Sequence, residues 1–160
     1  MSLLGRYWSP ERLYHHTAPI TMFYALWEGL RLVLEEGLEA RWRRIETLSR
    51  ALAAGLEALG LTLFAEAGCR LPSLTTVRIP DGVSDAEARK TLLTEFNLEI
   101  GGGLGDTKGK VWRIGLLGES ATRANVLLVL SALESVLVRQ GVRCARRRRG
   151  RAQRALSTVA

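Results

Sequence analysis

The chain of 160 residues has the length of one ordinary domain, and its composition, 47% hydrophobic and 24% charged, excludes disordered and fibrous proteins. Its net charge of +7 is concentrated at one end, because eight arginines fall within the last 22 residues, at positions 139, 143, 146–149, 151 and 154. Removing these eight from the 23 basic residues leaves 15 against 16 acidic ones, so the body of the chain lacks the positive field of a nucleic-acid-binding domain.

The first third of the chain carries helical patterns after an irregular start. Residues 1–20 combine aromatic and turn residues without periodicity, which predicts an irregular arm. Apolar residues then recur at helical spacing over 21–36, with Thr21 as the expected N-cap, and again over 38–59. The sequence therefore predicts a long helical stretch that bends near Gly37.

Strand and helix patterns alternate in the rest of the chain. Strands are predicted at 61–64, 74–79, 98–100 and 111–117, and helices at 84–96 and 120–139. Ser84 is the expected N-cap of the first of these helices, since acids follow it in the first turn. The alternation predicts an α/β fold, a two-layer sandwich in which long helices cover a small sheet of three or four strands.

A glycine-rich stretch at residues 101–105 invites a phosphate-binding interpretation, because closely spaced glycines let backbone N–H groups approach an anion. The spacing does not match a dinucleotide fingerprint, whose last glycine would fall on Lys108, nor a P-loop, since Val111 follows Gly109 and Lys110. The stretch therefore favours a hairpin-like turn between strands. A loop that passes close to a ligand stays open as the alternative.

Arg113 stands within an otherwise apolar strand pattern, where strand alternation turns it away from Trp112 and Ile114. A guanidinium in such a place needs a partner. A salt bridge to a nearby glutamate is the first interpretation, and a carboxylate-bearing ligand held by two parallel hydrogen bonds is the second. Spacing alone does not separate the two.

Other features indicate no site. His15 and His16 have no acidic or sulfur partners at ligand spacing, so a metal site is not predicted. Cys69 and Cys144 stand 75 positions apart, which indicates free thiols. No apolar stretch is long enough to cross a membrane, and residues 1–8 lack the pattern of a signal peptide. The arginine-rich tail has no interleaved aromatic residues, so nucleic acid is not the expected partner.

Five segments resemble, in the same order, the alanine–glyoxylate and serine–pyruvate aminotransferases, which are class V, fold-type I enzymes that use pyridoxal 5'-phosphate (PLP). The most specific are Tyr-His-His-Thr at 14–17 and Gly-Lys-Val-Trp-Arg-Ile-Gly at 109–115. The others lie at 71–77, 99–105 and 121–126. The resemblance covers about residues 1–138 and implies the small domain of a fold-type I enzyme.

The resemblance also implies roles for three residues. The arginine that matches Arg113 grips the α-carboxylate of the substrate, an amino acid such as alanine or serine, or a 2-oxo acid such as glyoxylate or pyruvate. The residues that match Tyr14 and Thr17 reach the PLP phosphate from the partner subunit of a homodimer. The glycine loop would line the substrate side of the cleft.

The resemblance further implies that residues 1–20 are an arm at the end of a larger domain, 21–140 the C-terminal small domain, and 141–160 a disordered tail. The family's Schiff-base lysine has no match, since Lys90, Lys108 and Lys110 stand in other motifs. No catalytic residue is therefore assigned, and the chain alone is expected to be inactive.

Two alternatives remain at this point, a non-catalytic interaction module that uses the basic tail on nucleic acid and a truncated reading frame. The family resemblance suggests a cytosol-like or peroxisomal location, although the sequence does not end in a Ser-Lys-Leu type signal.

Overall fold

A computed structural model describes residues 2–10 and 13–142. The chain divides into two compact units, and the division falls between Arg41 and Trp42. The tail predicted at 141–160, including Cys144, lies outside the described residues except for its first two positions.

The first unit contains helix α1 (Leu3–Tyr7), helix α2 (Ile20–Glu36) and the start of helix α3 (Leu38–Ala58). Helix α1 falls inside the segment that the sequence predicts to be irregular, and the hydroxyl of Ser2 caps it by accepting a hydrogen bond from the N–H of Gly5.

The boundary between α2 and α3 confirms the bend predicted at Gly37, which adopts a φ of 82° that glycine tolerates without strain. The expected N-cap Thr21 is wrong. Pro19 occupies that position, and its carbonyl oxygen accepts hydrogen bonds from the N–H groups of Met22 and Phe23, so Thr21 lies within the first turn.

The second unit contains the rest of α3 and five further elements: β1 (Leu74–Arg78), α4 (Asp85–Phe96), β2 (Gly101–Gly102), β3 (Val111–Gly115) and α5 (Arg123–Arg139). The three strands form one antiparallel sheet in the order β1-β3-β2. The predicted α/β fold with a small sheet and long helices is thereby confirmed.

Capping explains where α4 and α5 begin. The hydroxyl of Ser84 accepts from the N–H of Glu87, as predicted, and that of Thr122 accepts from the N–H of Asn125. Both are short polar side chains in extended backbone, which is the usual N-cap arrangement.

The strand predicted at 61–64 is reduced to one antiparallel bridge with β1, between Leu63 and Val77, and the strand predicted at 98–100 is wrong. At the bridge, the N–H of Phe64 donates to the carbonyl of Thr76 and the N–H of Arg78 donates to that of Thr62. Residues 98–100 are not paired, because α4 ends at Asn97 in the left-handed conformation and the N–H of Leu98 turns back to the carbonyl of Leu92. Pairing with β3 starts only at Gly101.

One core unites the second unit. It lies between one face of the sheet and the inward faces of the three long helices. Its largest fully buried side chains are Trp112, Leu52, Leu56, Leu92, Leu133 and Leu137.

None of the helices in residues 2–10 and 13–142 has both the length and the apolar character needed to span a bilayer. Cys69 is exposed and makes no disulfide.

Candidate functional site

Arg113 occupies the centre of the middle strand β3, opposite Thr76 of β1 and Gly101 of β2. Its chain neighbours Trp112 and Ile114 are buried in the core. Because successive side chains of a strand point to opposite faces, Arg113 lies on the sheet face that is turned away from the helices, where it is partly buried.

The guanidinium of Arg113 is held by the backbone of β2, since its Nε donates a hydrogen bond to the carbonyl oxygen of Gly102 at 2.7 Å. No carboxylate in residues 2–10 and 13–142 forms an ion pair with Arg113, so the salt bridge is not found there. Arginine has five N–H donors, and the four on the terminal nitrogens have no hydrogen-bond partner in the same part of the chain. That end presents the planar fork that carboxylates accept.

Two glycines of β2 lie against arginine side chains, and sequence reasoning did not assign them that role. A Cβ at Gly101 would lie 3.3 Å from Nη2 and 3.4 Å from Nε of Arg113. A Cβ at Gly102 would lie 3.4 Å from Nε of Arg89. Arginines therefore pack closely against both residues of β2. The sequence signal that could have indicated this packing is the pair of glycines that precedes the strand carrying the arginine.

Arg89 belongs to a hydrogen-bond network on the opposite face of the sheet from Arg113, the face that the helices cover. Its Nε donates to Oδ1 of Asp85 at 2.8 Å and its Nη2 donates to Oδ2 at 3.1 Å. The indole Nε1 of Trp112 donates to the same Oδ1 at 2.9 Å. The hydrogen bond from Arg89, together with that from Trp112 and the positive charge of Arg89, lowers the pKa of Asp85 despite its partial burial. The network ties α4 to the strand that carries Arg113.

Asp85→Ala is expected to destabilise the second unit by about 1–3 kcal/mol, because the buried indole N–H of Trp112 loses its acceptor. Asp85→Asn, which retains an acceptor, should cost less. Since the pKa of Asp85 is lowered in the folded state, its contribution is present above the unfolded pKa, near 4, and is lost as the pH falls through the folded pKa. Urea unfolding of wild type and Asp85→Asn at several pH values tests this. A stability difference that stayed constant into acid would contradict it.

The loop between β2 and β3 confirms the hairpin-like turn predicted for the glycine stretch. It contains one turn of 3-10 helix, Gly105–Thr107, and the hydroxyl of Thr107 bonds both the N–H and the carbonyl of Leu104. A Cβ at Gly103 would lie 1.9 Å from the carbonyl oxygen of Thr107. The loop therefore closes over Gly103 too tightly for any side chain there.

Tyr14 and Thr17 come together in the first unit. The Tyr14 hydroxyl and Oγ1 of Thr17 lie 2.7 Å apart, and both residues are exposed. Two neighbouring hydroxyls, each with one rotatable O–H donor, fit two oxygens of one phosphate group. Arg113 lies in the other unit, so this geometry unites only two of the three predicted site residues.

Aromatic contacts hold the intervening histidines. The ring of His16 stacks on that of Tyr7 with centroids 5.0 Å apart, and the Nδ1 atoms of His15 and His16 are 3.0 Å apart. Within residues 2–10 and 13–142, no group of three or more His, Cys, Asp or Glu residues is placed to hold a metal ion. The contacts connect α1 to the segment that carries Tyr14 and Thr17.

Relatives of known function match most of the chain. It is 50% identical over 139 residues to the (S)-ureidoglycine–glyoxylate transaminase of Bacillus subtilis (strain 168), and the aligned region covers 87% of this chain and 33% of that protein. It is 41% identical over 141 residues to the alanine–glyoxylate aminotransferase of Mus musculus, covering 86% and 34%. The chain thus spans about a third of the length of these relatives. No protein-family model matches it.

Solved structures of aminotransferases are also similar to this chain. The ureidoglycine–glyoxylate aminotransferase from Bacillus subtilis superposes with a TM-score of 0.86 and 45% identity, over 96% of this chain and 40% of that one. The pyridoxamine–pyruvate aminotransferase from Mesorhizobium loti gives 0.85 and 29%, over 97% and 40%. Glyoxylate aminotransferases are therefore homologues of this chain, which confirms the resemblance noted from its motifs.

Proposed function

We propose that this chain, a homologue of one third of the class V glyoxylate aminotransferases, supplies the substrate-carboxylate arginine and two cofactor-phosphate hydroxyls of a PLP-dependent transaminase. Residues 21–140 would form its small domain and residues 1–20 its arm. The amino acid and the 2-oxo acid of the reaction, with glyoxylate as one acceptor, would bind at the same arginine.

The observation that carries the proposal is the free fork of Arg113. Its Nε is bound to the carbonyl of Gly102, and within residues 2–10 and 13–142 both terminal nitrogens have no hydrogen-bond partner. A carboxylate is common to every amino acid and 2-oxo acid, so one arginine serves both halves of a transamination.

Tyr14 and Thr17 would bind the phosphate of PLP, a cofactor that stabilises carbanions as an electron sink when bound. The 2.7 Å separation of their oxygens suits that role, because both O–H groups can turn outward to one anion. The pair would orient the cofactor and leave proton transfer to other groups. The lysine that performs such a transfer is expected in the two thirds that this chain does not span, and as in the family the pair would act across a homodimer.

A chimera tests the proposal. The 160-residue chain replaces the matching third of the Bacillus subtilis transaminase, and amino transfer to glyoxylate is measured with PLP present. We expect turnover by the chimera and none by the 160-residue chain alone. A folded chimera that binds PLP without transferring amino groups would contradict the proposal, as would turnover by the chain alone.

The phosphate pair has its own test. Tyr14→Phe and Thr17→Val in the chimera should each weaken PLP binding roughly tenfold or more, because a hydrogen bond to a charged group contributes about 1.5–3 kcal/mol. Thr94→Val, which removes an exposed hydroxyl from α4, is the matched control. PLP affinity is read by equilibrium dialysis, and unchanged affinity in both variants would remove them from the phosphate site.

The alternative of a nucleic-acid-binding module gains no support from the comparisons. It depends on the tail beyond Val142, which lies outside the described residues.

A further inference from the structure

Strand β2 consists of two glycines, and in the described part of the chain it pairs only with β3. Glycine adopts a wider range of backbone angles than any other residue, so neither residue fixes the orientation of its own peptide groups. That orientation matters because the carbonyl of Gly102 accepts the hydrogen bond from Nε of Arg113. Contacts on the two faces of β2 therefore help to decide where this carbonyl points.

Arg89 of α4 lies against Gly102 on the face that the helices cover. A Cβ built on Gly102 would lie 3.4 Å from Nε, 3.5 Å from Cζ and 3.7 Å from Nη2 of Arg89. The three distances are nearly equal, and the edge of the guanidinium that carries Nε and Nη2 is directed at Asp85. Gly102 therefore faces the flat side of the guanidinium and not its hydrogen-bonding edge.

The guanidinium of Arg89 is held in place by Asp85. Two parallel hydrogen bonds join them, at 2.8 Å from Nε and 3.1 Å from Nη2. Oδ1 of Asp85 also accepts from the indole of Trp112, and Trp112 is the cross-strand partner of Gly102. An isolated surface ion pair fixes little, but a bidentate pair with a third donor has a defined geometry. Arg89 is thus anchored to the same pair of residues that it packs beside.

Arg113 occupies the other face of β2. A Cβ at Gly101 would lie 3.3 Å from its Nη2, so a guanidinium lies against each glycine, from opposite sides. We propose that Arg89 is a positioning residue, which holds Gly102 from the helix side so that the Gly102 carbonyl directs the fork of Arg113 toward the substrate carboxylate. The proposal rests on the proposed function of Arg113. Because Arg89 lies on the opposite face from the fork, it acts through Gly102 and not by contact with the substrate.

Kinetics of the chimera test this role. Arg89→Ala should raise the KM for the amino acid and for glyoxylate roughly 10-fold, with kcat and PLP affinity within about twofold of wild type, because a misdirected fork weakens only carboxylate binding. Arg139→Ala is the matched control, since it also removes an ion pair to α4, with Glu95, and should keep the wild-type KM. A lower kcat with unchanged KM in Arg89→Ala, as a smaller folded fraction would produce, overturns the proposal.

Arg89→Lys separates charge from shape. Lysine can pair with Asp85 but has no planar group to lie against Gly102, so the KM should rise at least ~3-fold. A wild-type KM in Arg89→Lys would mean that only the charge matters, which contradicts the proposal. This variant also decides the question if Arg89→Ala does not fold.

The effects of Arg89 and Arg113 should not be additive. In an Arg113→Ala background, Arg89→Ala should leave the KM within about twofold of the Arg113→Ala value, because no fork remains to be directed. A further 10-fold rise there would show that Arg89 affects substrate binding by another route, and the positioning role would be wrong.

Hydrogen exchange gives a readout that needs neither substrate nor turnover. In the isotope-labelled 160-residue chain, the side-chain Nε–H of Arg113, assigned by its absence in Arg113→Lys, should exchange at least ~10-fold faster in Arg89→Ala, because its acceptor is less firmly held. The backbone N–H of Leu133, whose side chain is fully buried in α5, is the internal reference and should not change. Equal acceleration of both would assign Arg89 to general stability, and no acceleration at Arg113 would show that the carbonyl does not depend on Arg89. Either result overturns the proposal.

These measurements also separate the positioning role from the proposed function. If Arg113→Ala leaves the KM unchanged, the proposed function fails, whereas the exchange result still decides whether Arg89 holds the carbonyl that binds Arg113. If Arg113→Ala raises the KM and Arg89→Ala changes neither KM nor exchange, the positioning role alone fails.

Discussion

Arg113→Ala in the chimera is expected to raise the KM for both the amino acid and glyoxylate on the order of 100-fold, with PLP affinity unchanged. Truncating one partner of a desolvated charge pair costs about 2–5 kcal/mol, and each 1.4 kcal/mol is a factor of ten. Arg113→Lys should fall between wild type and alanine, because it retains the charge and loses the fork. Steady-state kinetics at saturating PLP measures both.

Arg123→Ala provides the comparison, since it removes an exposed arginine from the first turn of α5. It should leave KM within about twofold of wild type, as expected for a surface position. If Arg113→Ala weakened PLP binding as strongly as substrate binding, the residue would support the fold of the site rather than grip the substrate.

Trp112→Ala is expected to lower the free energy of unfolding of the 160-residue chain by about 3–5 kcal/mol, the range for deleting a buried aromatic side chain. The side chain is fully buried at the centre of the sheet, and its indole N–H is bonded to Asp85. Against a typical total of about 5–15 kcal/mol, such a loss removes a large fraction of the free energy of unfolding.

Urea unfolding followed by circular dichroism measures this effect without relying on tryptophan fluorescence. Trp42→Ala is the control, because that side chain is 62% exposed and its loss opens no cavity in the core. Comparable destabilisation by the two substitutions would mean that burial is not what makes Trp112 important.

Local patterns were sufficient to predict most of the helices. Ser84 and the bend at Gly37 are correct because capping and positive φ are properties of a few neighbouring residues. The strand predicted at 98–100 is wrong because the hydrogen bonding at the end of α4 outweighs composition. The residues have strand-like composition, but the N–H of Leu98 bonds to the carbonyl of Leu92, and pairing with β3 starts only at Gly101.

Part of the candidate site could also be predicted from the sequence, and part could not. An arginine in an apolar strand was visible in the sequence, and its family motif suggested a substrate. What holds it was not visible, because the carbonyl of Gly102 is 11 positions away and becomes a partner only through strand register. The link from Asp85 to Trp112 spans 27 positions and was hidden for the same reason.

Gly101 and Gly102 have no side chains, yet arginine side chains pack against both, and the backbone carbonyl of Gly102 holds Arg113. A side chain at position 101 would therefore compete for space with the guanidinium of Arg113, which would have to shift by a few tenths of an ångström. The backbone of β2 thus limits where the fork of Arg113 can point, although neither glycine is itself a chemically active residue.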